Sequence, residues 1–354
     1  MARKLKLGLI GVGNVAARQH VPAFRKVENL EIVALAEADQ RIADQKGDEC
    51  DIPLRFGDHR KMLKEVELDA VLVATPNHLH CPHTIDALKA GCHVLVEKPI
   101  GVNVGEVKRM IAAGKRAKKT VMAALCFRFR SQVQAARQLV EEGVLGRIYH
   151  ARATYIRRRG VPGIGNWWTT KACGGGALGD IGVHVADAVL FVSGLPMPTH
   201  ASAATYRKFG HRKDYACTGM WGTPVPGGPM DVEDYASGLI RCGSKMTMTV
   251  EVSWAAEAQQ GGRMEVLGDR GGVLISDNDN APDRLTLFTQ RDRTLTTEVL
   301  TLPRTERFVE QARHFVECIR KHRKPISDLT TTLPVTSVLD GMYKSAEAGK
   351  EVRI

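Results

Sequence analysis

The segment Gly174-Gly175-Gly176-Ala177-Leu178-Gly179-Asp180-Ile181-Gly182-Val183-His184-Val185-Ala186-Asp187 has the residue types for proton transfer. Asp180 and His184 are four apart, so on a helix they share one face a turn apart, and Asp187 continues the stripe. The other side chains are apolar. A polar stripe on such a helix must find partners or bear a desolvation cost. One outcome is a hydrogen-bonded core histidine. The other is a stripe facing a cleft, where His184, whose ordinary pKa is about 6.5, serves as general base and Asp180 orients the ring or shares the proton.

Three further motifs carry chemistry. Glu97-Lys98-Pro99 sets a lysine before a proline, which disfavours helix and keeps Lys98 extended. Such an ammonium can donate to a substrate hydroxyl and stabilise developing alkoxide charge. A solvated surface Glu-Lys pair is the plain alternative. Thr75-Pro76-Asn77-His78-Leu79-His80 follows an apolar run, and ligands of open α/β sheets bind beyond the carboxyl ends of strands. His78, His80, Cys81 and His83 invite a metal reading, but their spacing matches no standard tetrahedral zinc pattern, and no metal is expected. Gly11-Val12-Gly13-Asn14-Val15-Ala16 follows the first apolar run: Gly11 permits a tight turn, Gly13 lets a pyrophosphate approach, and Ala16 allows close helix packing. A glycine turn in any α/β protein can mimic this motif. Context strengthens it, because Glu37 lies at the end of the second strand, where an acid accepts from both ribose hydroxyls and repels a 2′-phosphate. That favours NAD, with NADP left open by the nearby Arg41. The plain alternative is a solvated Glu37 beside Asp39 as a helix cap.

The elements that must position these groups follow from periodicity. Lys4–Ile10, Glu31–Ala36, Asp69–Ala74, His93–Val96 and Thr120–Ala124 are short apolar runs, as in strands buried on both faces of a parallel sheet. Thr84–Ala90, closed by Gly91, and Val104–Lys118, opened by the Asn103 and Glu106 capping box, are helical. The expected result is a doubly wound domain over residues 1–125. Residues 126–354 read as an α+β domain. Its helices are expected at Gln132–Glu142, Leu178–Val192, Glu306–Lys321 and Thr332–Ala348, and a long strand at Arg147–Ile156. Two hairpins are expected, Ala236–Arg241 with Met246–Ser253 and Met264–Leu267 with Gly272–Ile275. Phe209–Pro229, rich in Gly and Pro, reads as a surface loop.

Composition narrows the function. The formal charge of +11 is scattered, its densest cluster is Arg157-Arg158-Arg159, and aromatics at 5% offer little to stack on bases, which argues against nucleic acid. No apolar run reaches the ~18 residues that cross a bilayer. The basic start and apolar Leu7–Ala17 mimic a signal peptide, but Gly11, Gly13 and Asn14 interrupt it, so a first strand and a cytoplasmic location are expected. Eight cysteines without a Cys-x-x-Cys pair fit free thiols in a reducing compartment.

In this order the four motifs resemble the glucose–fructose oxidoreductase / inositol dehydrogenase / rhizopine catabolism (Gfo/Idh/MocA) family. Glu97-Lys98-Pro99 with Asp180-Ile181-Gly182-Val183-His184 carries most of the likeness, which runs from Leu5 to about Leu195 and continues more weakly through the hairpins. The resemblance implies a Rossmann domain, then a large, open-faced, mostly antiparallel sheet through which dimers or tetramers form. It also implies hydride transfer between a nicotinamide and a sugar or cyclic polyol. Lys98 and His184 would be the catalytic pair, with Asp180 beside the histidine and the substrate. Gly11, Gly13, Asn14 and Val15 would cradle the pyrophosphate, and Glu37 would take the ribose. Thr75, Asn77, His80, Glu97 and Lys98 would flank the cofactor, and Arg128, Trp167 and Trp168 would reach the substrate. Cys126 departs from the asparagine of many members. A glycosidase using NAD for transient oxidation, and a non-catalytic NAD-binding regulator, are the rival readings.

Overall fold

The computed structural model describes residues 3–162, 173–216, 230–243, 245–277 and 284–354. The chain divides into two compact units, Met1–Cys126 with Glu306–Thr332, and Phe127–Thr305 with Leu333–Ile354.

In the first unit, apolar strands too short to reach past the sheet alternate with helices. The order is β1 (Leu5–Ile10), α1 (Val21–Arg25), β2 (Leu30–Ala36), α2 (Gln40–Glu49), β3 (Leu54–Phe56), α3 (His59–Glu65), β4 (Ala70–Val73), α4 (His80–Lys89), β5 (His93–Val96), α5 (Val104–Ala117) and β6 (Val121–Ala123). The strands form one parallel sheet in the order β3-β2-β1-β4-β5-β6. Leu7, Leu9, Leu72, Val94 and Leu95 have no exposed surface, as expected of a sheet covered on both faces. Strand order reverses between β1 and β4, which opens a crevice at their carboxyl ends. The Asn103 side chain caps α5 by accepting the Glu106 N–H at 3.0 Å. Periodicity leaves β3, α2 and α3 unassigned: β3 is a three-residue edge strand without a buried residue, and α2 is polar apart from one narrow stripe.

The second unit holds α6 (Ser131–Glu141), β7 (Ile148–Ile156), α7 (Val183–Val192), β8 (Pro198–Tyr206), β9 (Tyr235–Cys242), β10 (Met246–Ser253), β11 (Gly261–Gly268), β12 (Gly271–Asp277), β13 (Arg284–Arg291) and β14 (Thr294–Thr301). Next comes α8 (Arg307–Arg320), which belongs to the first unit, where it packs on α1. Assigning all of residues 126–354 to one domain therefore misses this return. Helix α9 (Leu333–Ala348) and β15 (Val352–Arg353) end the chain in the second unit. Its sheet runs β14-β13-β12-β11-β7-β10-β9-β8-β15, antiparallel except where β10 lies parallel to β7. Both expected hairpins form, β9 with β10 and β11 with β12. Helix α7 packs on β7, β11, α6 and α9, which explains why it is apolar apart from His184 and Asp187.

Candidate active site

In the first unit the expected cofactor residues gather at the carboxyl ends of adjacent strands β2, β1, β4 and β5. Gly11 follows β1 with φ +85°, and a Cβ there would sit 2.7 Å from the Ala74 carbonyl, so this turn over β4 requires glycine. A Cβ on exposed Gly13 would point into open space. Asn14 and Val15, half-buried, lead into a π turn at Ala16–His20. Wide turns of this kind are rare and recur at functional sites. Glu37 follows β2, and its carboxylate accepts the Val12 N–H at 3.2 Å and the Ala38 N–H at 2.9 Å. It is thereby held against the glycine turn, while Asp39 caps α2 by accepting the Arg41 N–H at 2.9 Å. Asp39 thus caps the helix, and Glu37 is turned toward the glycine turn.

Beyond β4 and β5 the polar groups are tied together from inside. His20 Nε2 lies 2.6 Å from Glu97 Oε1, both buried, and the ring is walled by Phe24 and Phe308. The other Glu97 oxygen accepts the Lys98 N–H at 2.9 Å. Burial acts to raise the Glu97 pKa, but the His20 hydrogen bond and the charges of His20 and Lys98 outweigh it and hold the carboxyl below its ordinary range. The Lys98–Pro99 peptide is cis. Lys98 is half-buried, and Asn77 is buried at the start of the 3₁₀ turn Asn77–Leu79. Thr75 Oγ1 is 3.2 Å from His83 Nδ1. His80 is buried, with Nδ1 2.7 Å from the Pro99 carbonyl and Nε2 2.8 Å from the Thr75 carbonyl. Glu97 and His80, expected to flank the cofactor, thus have their polar atoms engaged with the protein. Among the described residues no group of three or more His, Cys, Asp or Glu is arranged to hold a metal.

In the second unit a π turn at Leu178–Gly182 runs directly into α7. From Ala177 to Val192 every residue is buried except Asp180 and His184. The first two members of the stripe are thus half-buried, each keeping some surface open to solvent. Asp180 Oδ2 accepts the Trp254 indole N–H at 2.9 Å. The His184 ring stacks on Phe127 (centroids 4.8 Å, interplanar angle 23°), and the Arg130 guanidinium lies 3.7 Å from the Phe127 centroid. The third member, Asp187, faces inward. Its carboxylate takes Arg128 Nε at 2.9 Å and Nη2 at 2.6 Å, with both side chains fully enclosed. Arg128, expected to reach substrate, is instead an internal brace between its loop and α7. Trp167 and Trp168, and residues 217–229 of the expected surface loop, lie outside the described residues.

Four residues that no motif marks hold this helix. The Glu233 carboxylate accepts the Gly176 and Leu178 N–H groups, each at 2.9 Å, and its carbonyl accepts the Ala177 N–H at 3.0 Å. The Tyr343 hydroxyl donates to Glu233 at 2.9 Å and accepts the Gly179 N–H at 3.1 Å. Burial pushes the Glu233 carboxyl above its ordinary range, against the N–H groups of Leu178 and Gly176. A Cβ at Gly176 would overlap the Glu233 carbonyl, which gives a physical reason for glycine there. Phe127 and Trp254 complete the set. These supports are an acid and three aromatics on separate elements, Tyr343 in the middle of α9, and no local spacing marks them.

Comparison with known proteins gives the family. Residues 5–125 match the family described as "Oxidoreductase family, NAD-binding Rossmann fold", and residues 133–274 match the "GFO/IDH/MocA C-terminal domain". The chain belongs to the Gfo/Idh/MocA oxidoreductase family. As a Gfo/Idh/MocA protein it is 29% identical over 99% of its length, and 97% of the relative's, to D-glucoside 3-dehydrogenase of Escherichia coli. It is 28% identical to levoglucosan dehydrogenase of Pseudarthrobacter phenanthrenivorans over 77% of this chain and 74% of that one. Among solved structures, the aldose-aldose oxidoreductase of Caulobacter crescentus complexed with glycerol superposes with TM-score 0.81 at 27% identity, covering 99% of this chain and all of the other. The first domain of this Gfo/Idh/MocA member is therefore a NAD-binding Rossmann domain. No helix among the described residues is long and apolar enough to cross a membrane.

Proposed function

We propose that the protein is a sugar dehydrogenase that moves hydride between NAD and a secondary ring hydroxyl of a sugar or cyclic polyol. The observation that carries this reading is the pair Asp180 and His184, the two accessible residues on an otherwise buried helix. NAD, when bound, supplies the hydride acceptor. His184 accepts the hydroxyl proton as the carbon gives up its hydride, and afterwards releases that proton to water. The Lys98 ammonium donates to the oxygen and stabilises its developing negative charge. Asp180, held by Trp254, orients substrate and imidazole. Gly11, Gly13, Asn14 and Val15 bind the pyrophosphate through backbone N–H groups, and Glu37 accepts from the ribose hydroxyls. Thr75 and Asn77 border the nicotinamide end, while Glu97 and His80 support that border from within. The E. coli relative is named for oxidation of D-glucosides at position 3, which makes D-glucosides the first substrates to try.

The test is a panel of glucosides, free sugars and inositols with NAD and NADP, read at the nicotinamide absorbance. Net NADH formation with a sugar is expected, with NAD preferred. Glycoside cleavage without net NADH would make the protein a hydrolase, and stoichiometric NAD binding without turnover on any sugar would make it a regulator. The sheet strands carry exposed Tyr149, Tyr206, Leu239, Phe288 and Val299. A homodimer or homotetramer through that sheet would cover them, and light scattering in solution measures it.

A further inference from the structure

The two buried histidines of the cofactor crevice face different groups. His20 meets a carboxylate, whereas His80 has a backbone carbonyl at each ring nitrogen, Pro99 at 2.7 Å and Thr75 at 2.8 Å, and is 1% exposed. A carbonyl oxygen can only accept, and a neutral imidazole has one N–H and one lone pair. Either neutral tautomer would therefore press a nitrogen lone pair against a carbonyl oxygen inside a buried site. An imidazolium donates to both.

The surroundings divide over that charge. The charged and titratable groups nearest His80 are Glu97 and Lys98 on the loop after β5 and His83 on its own helix. From α5, Glu106 and Arg109 meet the neighbouring Cys81. Burial, the largest influence, favours the neutral ring and pulls the imidazole below its ordinary range. The Pro99 carbonyl, the Glu97 carboxylate and the Thr75 carbonyl favour the cation, and Lys98 opposes it. The geometry decides, because two short contacts to acceptors are compatible with one protonation state only.

We propose that His80 is a buried imidazolium that bolts the loop after β4 to the loop after β5 and thereby sets the position of Lys98. His80 is then a positioning residue, acting one peptide away from the lysine and touching no substrate. This rests on the reading of Lys98 given above. It also accounts for a histidine at this place in the Thr75–His80 motif, since neither lysine nor glutamine presents two opposed N–H groups on a flat ring.

The test uses the full chain labelled with ¹⁵N-histidine, with the His80 ring assigned by through-bond correlation to its own backbone amide. Two protonated ring nitrogens, unchanged from about pH 6 to about pH 9, are expected, against an ordinary imidazole that loses its charge near 6.5. One protonated and one bare ring nitrogen at neutral pH overturns the proposal. In His80→Gln, which keeps one donor and loses the charge, kcat should fall roughly 10²-fold, the cost of misplacing a catalytic group by about 1 Å, with NADH affinity little changed. An equal loss of NADH affinity, or unchanged kcat, overturns the positioning role. If His80→Gln does not fold, the ring spectrum of the unsubstituted protein decides alone. Full turnover in Lys98→Met defeats the reading of Lys98, and the ring spectrum then reports on the bolt by itself.

Discussion

The cofactor crevice of the first unit and the Asp180–His184 helix of the second are held in two different ways. Each sets polar groups around a helix that opens with a π turn, at Ala16–His20 and at Leu178–Gly182. In the first unit the supports sit mostly within the motifs themselves: Glu97 precedes Lys98, and His80 closes the Thr75–His80 stretch. In the second unit the supports come from afar. Glu233 is 57 residues from Gly176, Trp254 is 74 from Asp180, and Tyr343 is 164 from Gly179. A parallel sheet delivers successive strand ends to one edge, so its loops can brace each other. An antiparallel sheet returns the chain to both edges, so a helix packed on it is held by whatever strand ends lie near.

The sharpest test of the comparison is at the chemistry itself. His184→Ala is expected to lower kcat by roughly 10²–10⁴, the weight of a positioned acid–base group, with the unfolding midpoint unchanged. Wild-type turnover on the best substrate would remove the second unit from the mechanism. Next comes the enclosed pair of Arg128 and Asp187. Asp187→Ala leaves a buried guanidinium uncompensated and should cost about 3–5 kcal/mol in urea unfolding. A loss confined to kcat, at full stability, would instead mean that Arg128 does serve the substrate.

A smaller effect is expected at Trp254. Trp254→Phe removes one hydrogen bond to the Asp180 carboxylate, which is worth about 1.5–3 kcal/mol, or roughly 10–10²-fold in kcat. An unchanged kcat would show that the remote support is dispensable, and the contrast between the two units would collapse.

The mildest effect concerns pH and belongs to the first unit. Burial lowers the pKa of His83 to about 4 and that of His93 to about 4. In the unfolded chain both titrate near 6.5, so below that value the unfolded state binds protons that the folded state does not. The stability they contribute is complete above about pH 6.5 and is lost as pH falls toward about 4. The urea midpoint should drop between pH 7 and pH 5, by less in His93→Gln, where Gln can still accept the Thr120 N–H that His93 Nδ1 accepts now. A midpoint independent of pH across that window would contradict it.

Much of the fold was legible before any coordinates. Five strands of the parallel sheet, the Asn103 cap and both hairpins follow from spacing alone, because a buried strand and a helix repeat their apolar residues at different periods. Strands β13 and β14 did not show, since they lie at a sheet edge and expose residues such as Leu295 and Val299, leaving weak alternation. At the site, Gly11, Glu37, Lys98, Asp180 and His184 were named from the chain alone. Arg128 was named by resemblance alone, and its enclosed pairing with Asp187 left no trace in the sequence, because the two lie 59 residues apart.

The sequence by itself determined which residues have the chemistry and which elements present them, since motif, cap and period are relations among near neighbours. Only the tertiary structure decided which members of the polar stripe stay accessible, and that Glu233, Trp254 and Tyr343 hold them. Those choices depend on which distant segments meet, and burial removes water as an alternative partner, so each enclosed polar group must take the neighbour that packing provides.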